Sequence, residues 1–217
     1  MANKGRATGR TLVLPLSLLA VIGFSVFSYY YIDIPAANYC RSIGPLSRMI
    51  FAYTTDLGKS TWYLIVSAGM FLVFRYISIN IELSNRFLFI FVSISVSGII
   101  TNIIKFILGR YRPDALFENN LYGLNFFEHS FIKTSFPSGH SNTITALMLA
   151  LYFLYPRYWI LYVVIAIIVI SSRVVVLDHY ISDVVFGSFL AIITTFYIRS
   201  VFHRKGLLAS PSDHVDE

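Results

Sequence analysis

The sequence predicts an all-α fold, a six-transmembrane-helix bundle forming one domain over residues 1–217. Three observations predict it. Hydrophobic residues make up 56% of the chain and charged residues 13%, where a soluble domain carries about a quarter charged. Six apolar runs approach or reach the roughly 17–25 residues that cross a bilayer. The charged residues near those runs gather in three short islands.

The runs are 11–32, 61–80, 86–108, 141–156, 158–178 and 181–202. The first follows Lys4, Arg6 and Arg10, as in a signal peptide. No convincing small-x-small cleavage site follows it, and it leads into the aromatic patch Phe27-Ser28-Tyr29-Tyr30-Tyr31, so it reads as a retained helix anchored at an interface. Residues 33–60 connect the first two runs, and Ala36 to Ala52 is amphipathic enough to lie along the interface. Gly58-Lys59-Ser60 suggests a phosphate-binding P-loop, but Tyr53 stands where that motif needs its first glycine. The fourth run is the shortest, and only Asp178-His179-Tyr180 separates the fifth from the sixth. Cys40 is the sole cysteine, which excludes an intrachain disulfide.

Net charge is +6, but the basic residues are spread over loops and ends, so they read as topology signals and not as a nucleic-acid surface. With six spans and cytoplasmic termini, Lys4, Arg6, Arg10, Arg75, Arg86, Arg157, Arg199, Arg204 and Lys205 fall inside. Arg41, Arg48, Lys59, Arg110 and Lys133 fall outside. The same parity brings all three islands to one face, the periplasmic or outer one.

The islands are Lys105-x6-Arg112-Pro113, Pro137-Ser138-Gly139-His140 and Ser172-Arg173-x5-His179-x3-Asp183. Charge near a membrane span is costly and points to function. His179 and Asp183 stand four apart, so on one helix face the carboxylate would fix the imidazole tautomer. Gly139 opens a helix whose free N–H groups suit an anion, Ser138 adds a hydroxyl, and His140 supplies a second imidazole. Arg112 and Arg173 match phosphate oxygens with guanidinium forks, and Lys105 adds a point charge. Each island has an ordinary reading as well: a snorkelling lysine, a serine-capped helix start, an interfacial His–Asp cap. Their joint occurrence, in order and on one face, favours phosphate chemistry. Arg110 reads as peripheral, and Asp114, Glu118 and Glu128 as solvated.

These three segments resemble the three-part signature of the type 2 phosphatidic acid phosphatase (PAP2) superfamily, shared with vanadium haloperoxidases. The resemblance spans residues 105–183, with every signature position filled, and the hydropathy fits the membrane branch. It implies that His179 attacks phosphorus to form a phosphohistidine, with Asp183 orienting it. It implies that His140 protonates the leaving group and then activates water. Lys105, Arg112, Ser138, the Gly139 N–H and Arg173 would hold the phosphoryl oxygens, with no cofactor and no metal. The expected partners are the bilayer and a phosphorylated membrane lipid, and not nucleic acid; no oligomeric state is implied. The expected location is a bacterial-type inner membrane. Lipid A or undecaprenyl diphosphate leads as substrate, ahead of phosphatidylglycerol phosphate and phosphatidic acid. A lipid phosphotransferase and a non-enzymatic membrane protein are the rival readings. Phe117, Tyr122, Leu124, Phe126, Phe127 and Phe131 place the 114–136 loop either at headgroup depth or folded onto the helix ends.

Overall fold

A computed structural model describes residues 3–127 and 130–208, with side chains from Leu14 onward. The chain is all-helical there. The helices are α1 (Asn3–Tyr31), α2 (Asp33–Ser42), α3 (Pro45–Thr55), α4 (Ser60–Leu72), α5 (Ile81–Leu108), α6 (Pro113–Asn119), α7 (Gly139–Leu154), α8 (Trp159–Val175) and α9 (Ile181–Arg204). Glu128 lies outside the described residues.

Local chemistry sets these boundaries. The Asn80 side chain accepts the Leu83 N–H and starts α5, and Gly109, at φ 38°, ends it. Pro45 and Pro113 open α3 and α6 at positions where a missing N–H costs nothing. Past Leu72, the helix widens into a π turn over Val73–Ile77.

Among the described residues, five helical stretches are long and apolar enough to cross a membrane. They are Leu14–Tyr31, Pro45–Ile77, Ile81–Leu108, Pro156–Val175 and Ile181–Arg204. Each of the six apolar runs is helical, but α7, over the fourth, has 16 residues and is not among these five. The stretch expected to be one interfacial segment breaks at Ile43-Gly44 into α2 and α3. Of the two, α2 buries Asp33, Ala37 and Cys40, while α3 buries none of its residues.

The short α7 is the hub, packed against α5, α8 and α9. Phe89, Ile94, Ile144, Ala150, Val169 and Ala191 form the core between them. Ser93, Ser97 and Thr101 recur every four residues on α5 and are buried, so small side chains let the helices approach closely. Asn142 ties three helices together: its amide accepts from Ser97 Oγ at 2.8 Å and donates to the Gly187 carbonyl at 3.2 Å. Gly187 admits the start of α7, because a Cβ there would lie 2.5 Å from the Ser138 carbonyl oxygen. These contacts fix the N-terminus of α7 against the first turns of α9.

Candidate active site

The eight residues singled out from the sequence converge at one end of the bundle. Lys105 is in the last turn of α5, and Arg112 immediately precedes α6. Ser138 caps α7, with Gly139 and His140 in its first turn. Arg173 closes α8, His179 lies in the α8–α9 turn, and Asp183 is in the first turn of α9.

His179 and Asp183 meet, though not as a pair on one helix face. His179 precedes α9 by two residues. The tight turn ending α8 presents it: the N–H groups of Asp178 and His179 both donate to the Arg173 carbonyl, at 3.2 and 3.1 Å. Leu177 turns the chain with φ 64°, a left-handed conformation unusual for a branched residue, and its side chain is buried against Ala37, Cys40 and Tyr180. Asp183 Oδ2 then lies 3.6 Å from His179 Nδ1. The same oxygen accepts the Ser135 hydroxyl at 2.5 Å and the Tyr180 N–H at 2.9 Å. With Nδ1 facing the carboxylate, Nε2 is the nitrogen left for a substrate. Burial, together with the cations Arg112 and Lys105, holds the His179 imidazole well below its ordinary value, and the neighbouring Asp183 carboxylate only partly offsets them. The ring is therefore neutral at physiological pH.

The two guanidinium cations share a single carboxylate. Asp178 accepts from Arg112 at 3.4 Å and from Arg173 at 2.7 Å. Arg112 also donates to the Phe131 and Asp178 carbonyls, with its guanidinium 3.7 Å above the Phe131 ring. Arg173 is bonded to the Thr55 hydroxyl, so α3 braces it. Lys105 Nζ donates to the Thr134 carbonyl at 2.8 Å and so is held inward by the protein. Arg173, Arg112, Lys105 and Lys59 all act electrostatically on His140. Lys105, Arg112 and Arg173 together exceed the charge of Asp178, so the group of charges acting on His140 is net positive.

Ser138 is fully buried, and its Oγ accepts the Ser141 N–H at 3.4 Å and the Ser141 hydroxyl at 3.0 Å. Its own proton remains available to a ligand. A side chain at Gly139 would meet nothing within 4 Å, so the space beside this N-terminus is open. His140 packs on Gly58: a Cβ at Gly58 would lie 2.7 Å from His140 Cβ. The glycine that suggested a P-loop serves instead as a seat for the imidazole. Among the described residues, no group of three or more His, Cys, Asp or Glu side chains is placed to hold a metal ion.

The family model of the PAP2 superfamily matches residues 86–207. The chain belongs to the PAP2 superfamily. Similar proteins include a lipid A 1-phosphatase of Rhizobium johnstonii, 36% identical over 124 residues, covering 55% of this chain and 49% of that protein. A lipid A 1-phosphatase of Rhizobium etli is 35% identical over 124 residues, covering 55% of this chain and 52% of that protein. The aligned part is thus about half the length of these curated relatives. Two solved structures share the fold. One is a transmembrane PAP2-type phosphatidylglycerolphosphate phosphatase from Bacillus subtilis, with TM-score 0.57 and 22% identity over 86% of this chain and 96% of that one. The other is Aquifex aeolicus LpxE, with TM-score 0.55 and 18% identity over 78% of this chain and 95% of that one.

Sequence reasoning placed two features of this PAP2 site wrongly or not at all. Arg110, taken as peripheral, is 1% exposed and ion-paired with Asp183 at 2.6 Å. Asp33, which carried no expectation, is fully buried and paired with Arg110 at 2.8 Å. The available signal was a lone carboxylate just after an aromatic interfacial patch. The loop's apolar residues divide: Leu124, Phe126, Phe127 and Phe131 are exposed, while Phe117 and Tyr122 pack inward. Asp114 and Glu118 are exposed, as expected.

Proposed function

We propose that this PAP2 protein is a membrane-embedded lipid phosphatase that removes phosphate from a lipid headgroup through a phosphohistidine on His179. The observation carrying this reading is the neutral His179 backed by Asp183, beside an excess of cations and a second imidazole. Nε2 attacks phosphorus, and the Nε2–P bond forms as the bond from phosphorus to the lipid oxygen breaks. His140, protonated in the complex with the phosphate dianion, gives its proton to that oxygen. A bound phosphate dianion favours this protonated form by offsetting the nearby cations. Water then attacks the phosphohistidine and gives its proton to His140, and inorganic phosphate leaves. Lys105, Arg112, Arg173, the Ser138 hydroxyl and the Gly139 N–H stabilise the charge on the phosphoryl oxygens, usually the largest contribution in such chemistry.

Lipid A bearing a 1-phosphate is the substrate we favour, supported by the two curated relatives. Leu124, Phe126, Phe127 and Phe131, exposed beside the site, suit headgroup depth, with acyl chains left in the bilayer. In this reading α7 completes a six-span bundle, both termini are cytoplasmic, and the site faces the periplasm.

The test is to offer the purified protein in detergent micelles lipid A phosphates, undecaprenyl diphosphate, phosphatidylglycerol phosphate and phosphatidic acid, with products identified by mass spectrometry. Release of inorganic phosphate, inhibited by vanadate, from lipid A in preference to the others is the expected result. Labelled phosphate appearing on an acceptor lipid would make the protein a phosphotransferase, and turnover of no phosphorylated lipid would overturn the reading.

A further inference from the structure

The proposed chemistry leaves unused a buried charge cluster directly behind Asp183. Arg110 divides its guanidinium fork, with Nη1 donating to Asp183 Oδ1 at 2.6 Å and Nη2 to Asp33 Oδ2 at 2.8 Å. Nη1 also reaches the Ser182 hydroxyl at 2.7 Å, and Nη2 reaches Tyr122 Oη at 3.0 Å. Asp33 is held just as firmly. It accepts the Ser28 hydroxyl at 2.7 Å, the Ser182 N–H at 3.1 Å and the Ser182 hydroxyl. The rings of Tyr29, Tyr122 and Tyr180 stand 4.9, 5.4 and 4.2 Å from the guanidinium carbon. They wall the cation from water and add cation–π attraction.

We infer that Asp33 and Arg110 are positioning residues for the reaction, aligning Asp183 on His179 and supplying the negative charge that the attacking imidazole needs behind it. The inference rests on the phosphohistidine reading and extends it to residues outside the signature. Two arguments carry it. The first is geometric. Asp183 uses Oδ2 for His179, Ser135 and the Tyr180 N–H, and Oδ1 for Arg110, so both edges of the carboxylate are pinned. Asp33 in turn fixes the guanidinium from its far side. The second is charge. As Nε2 bonds to phosphorus, the His179 ring gains positive charge, which a buried anion behind Nδ1 stabilises. Asp183 and Arg110 alone form a neutral pair. Asp33 makes the cluster net negative, one cation against two carboxylates. Asp33 also lies outside residues 86–207, so the joint between α1 and α2 contributes to chemistry carried by the matched region.

The experiment compares wild-type protein with Asp33→Asn, Arg110→Lys, Arg110→Met, the Asp33→Asn/Arg110→Met double variant and His179→Ala. Each full-length variant is purified in detergent and checked for monodispersity. Turnover is measured on the lipid phosphomonoester that the wild type hydrolyses. Asp33→Asn is expected to lower kcat about 10–100-fold, the scale of a misplacement near 1 Å, with KM within about twofold because the phosphate-holding cations are untouched. Labelled phosphohistidine should form more slowly by the same factor. Arg110→Lys keeps the charge but cannot bridge two carboxylates, so it should recover only part of what Arg110→Met loses. Because Asp33 and Arg110 act on the same carboxylate, their losses should not multiply in the double variant.

Wild-type kcat in Asp33→Asn, a loss appearing only in KM, or losses that multiply in the double variant would each overturn the inference. If Asp33→Asn does not fold, Arg110→Lys carries the test alone, and wild-type kcat there is equally fatal. His179→Ala separates the two claims. Turnover by that variant sinks the phosphohistidine reading, whereas an inactive His179→Ala beside a fully active Asp33→Asn sinks only this inference.

Discussion

The two imidazoles of the site are held in opposite ways. His179 is 2% exposed and sits on a carboxylate that is itself gripped by Ser135, Tyr180 and Arg110. His140 is only partly buried, and among the described residues its ring is located by packing on Gly58 and not by a hydrogen bond. The contrast matches the two proposed tasks. A nucleophile gains from a fixed near-attack geometry and a fixed tautomer. A group that first gives a proton to one oxygen and then takes one from water must serve two positions, and a polar anchor would favour one of them.

The largest expected effect breaks the rigid half. His179→Ala removes the nucleophile and should lower kcat about 10⁴–10⁶-fold, measured as phosphate release in micelles. Next comes the loose half. His140→Ala should cost about 10²–10⁴-fold, the usual worth of acid–base help. If His140 also activates water, this variant should accumulate labelled phosphohistidine, most visibly with a substrate whose leaving group needs no proton. Equal losses and no trapped intermediate would erase the proposed division of labour.

Gly58→Ala tests the seat. The added Cβ forces His140 or the α3–α4 corner to move, so kcat should fall about 10–100-fold. Thermal stability should fall modestly, since a Cβ 2.7 Å from His140 Cβ overpacks the contact by more than the entropy it removes from the unfolded chain. Loss of cooperative folding, or full activity in a folded variant, would mean that Gly58 does not act by seating the imidazole.

The smallest effect concerns pH. Histidine NMR of the free protein should show no His179 titration near the ordinary value of 6.5, because burial disfavours the charged ring. Below that pH the unfolded chain binds a proton that the folded chain refuses. His179 therefore contributes stability above 6.5 that is lost as pH falls. A His179 resonance titrating at or above 6.5 would contradict the buried, neutral ring.

The helices were legible in the sequence because apolar length and cap residues are local properties. The motif residues were legible because residue type and short spacing carried their chemistry. What escaped depends on pairings distant in sequence. Asp33 meets Arg110 and Ser182 across 77 and 149 residues, and no spacing rule links them. Arg110 was misread because a cation two residues from Arg112 looks redundant. The fold sends one inward to two carboxylates and the other to Asp178 and the Phe131 ring. The His179–Asp183 spacing led to the right partner by a different geometry, since α9 begins only at Ile181.

Gly58 has one more consequence. It is not among the positive-φ glycines, so its backbone accepts any ordinary residue. The site keeps glycine there for room, not for bending. Position 58 is therefore a tuning point: side chains of graded size would displace one imidazole by graded amounts, without altering a motif residue or a charge. In the proposed scheme, with a substrate whose leaving group needs no proton, an engineer wishing to slow attack by water, and so hold phosphate on the enzyme long enough for another acceptor to compete, would begin there.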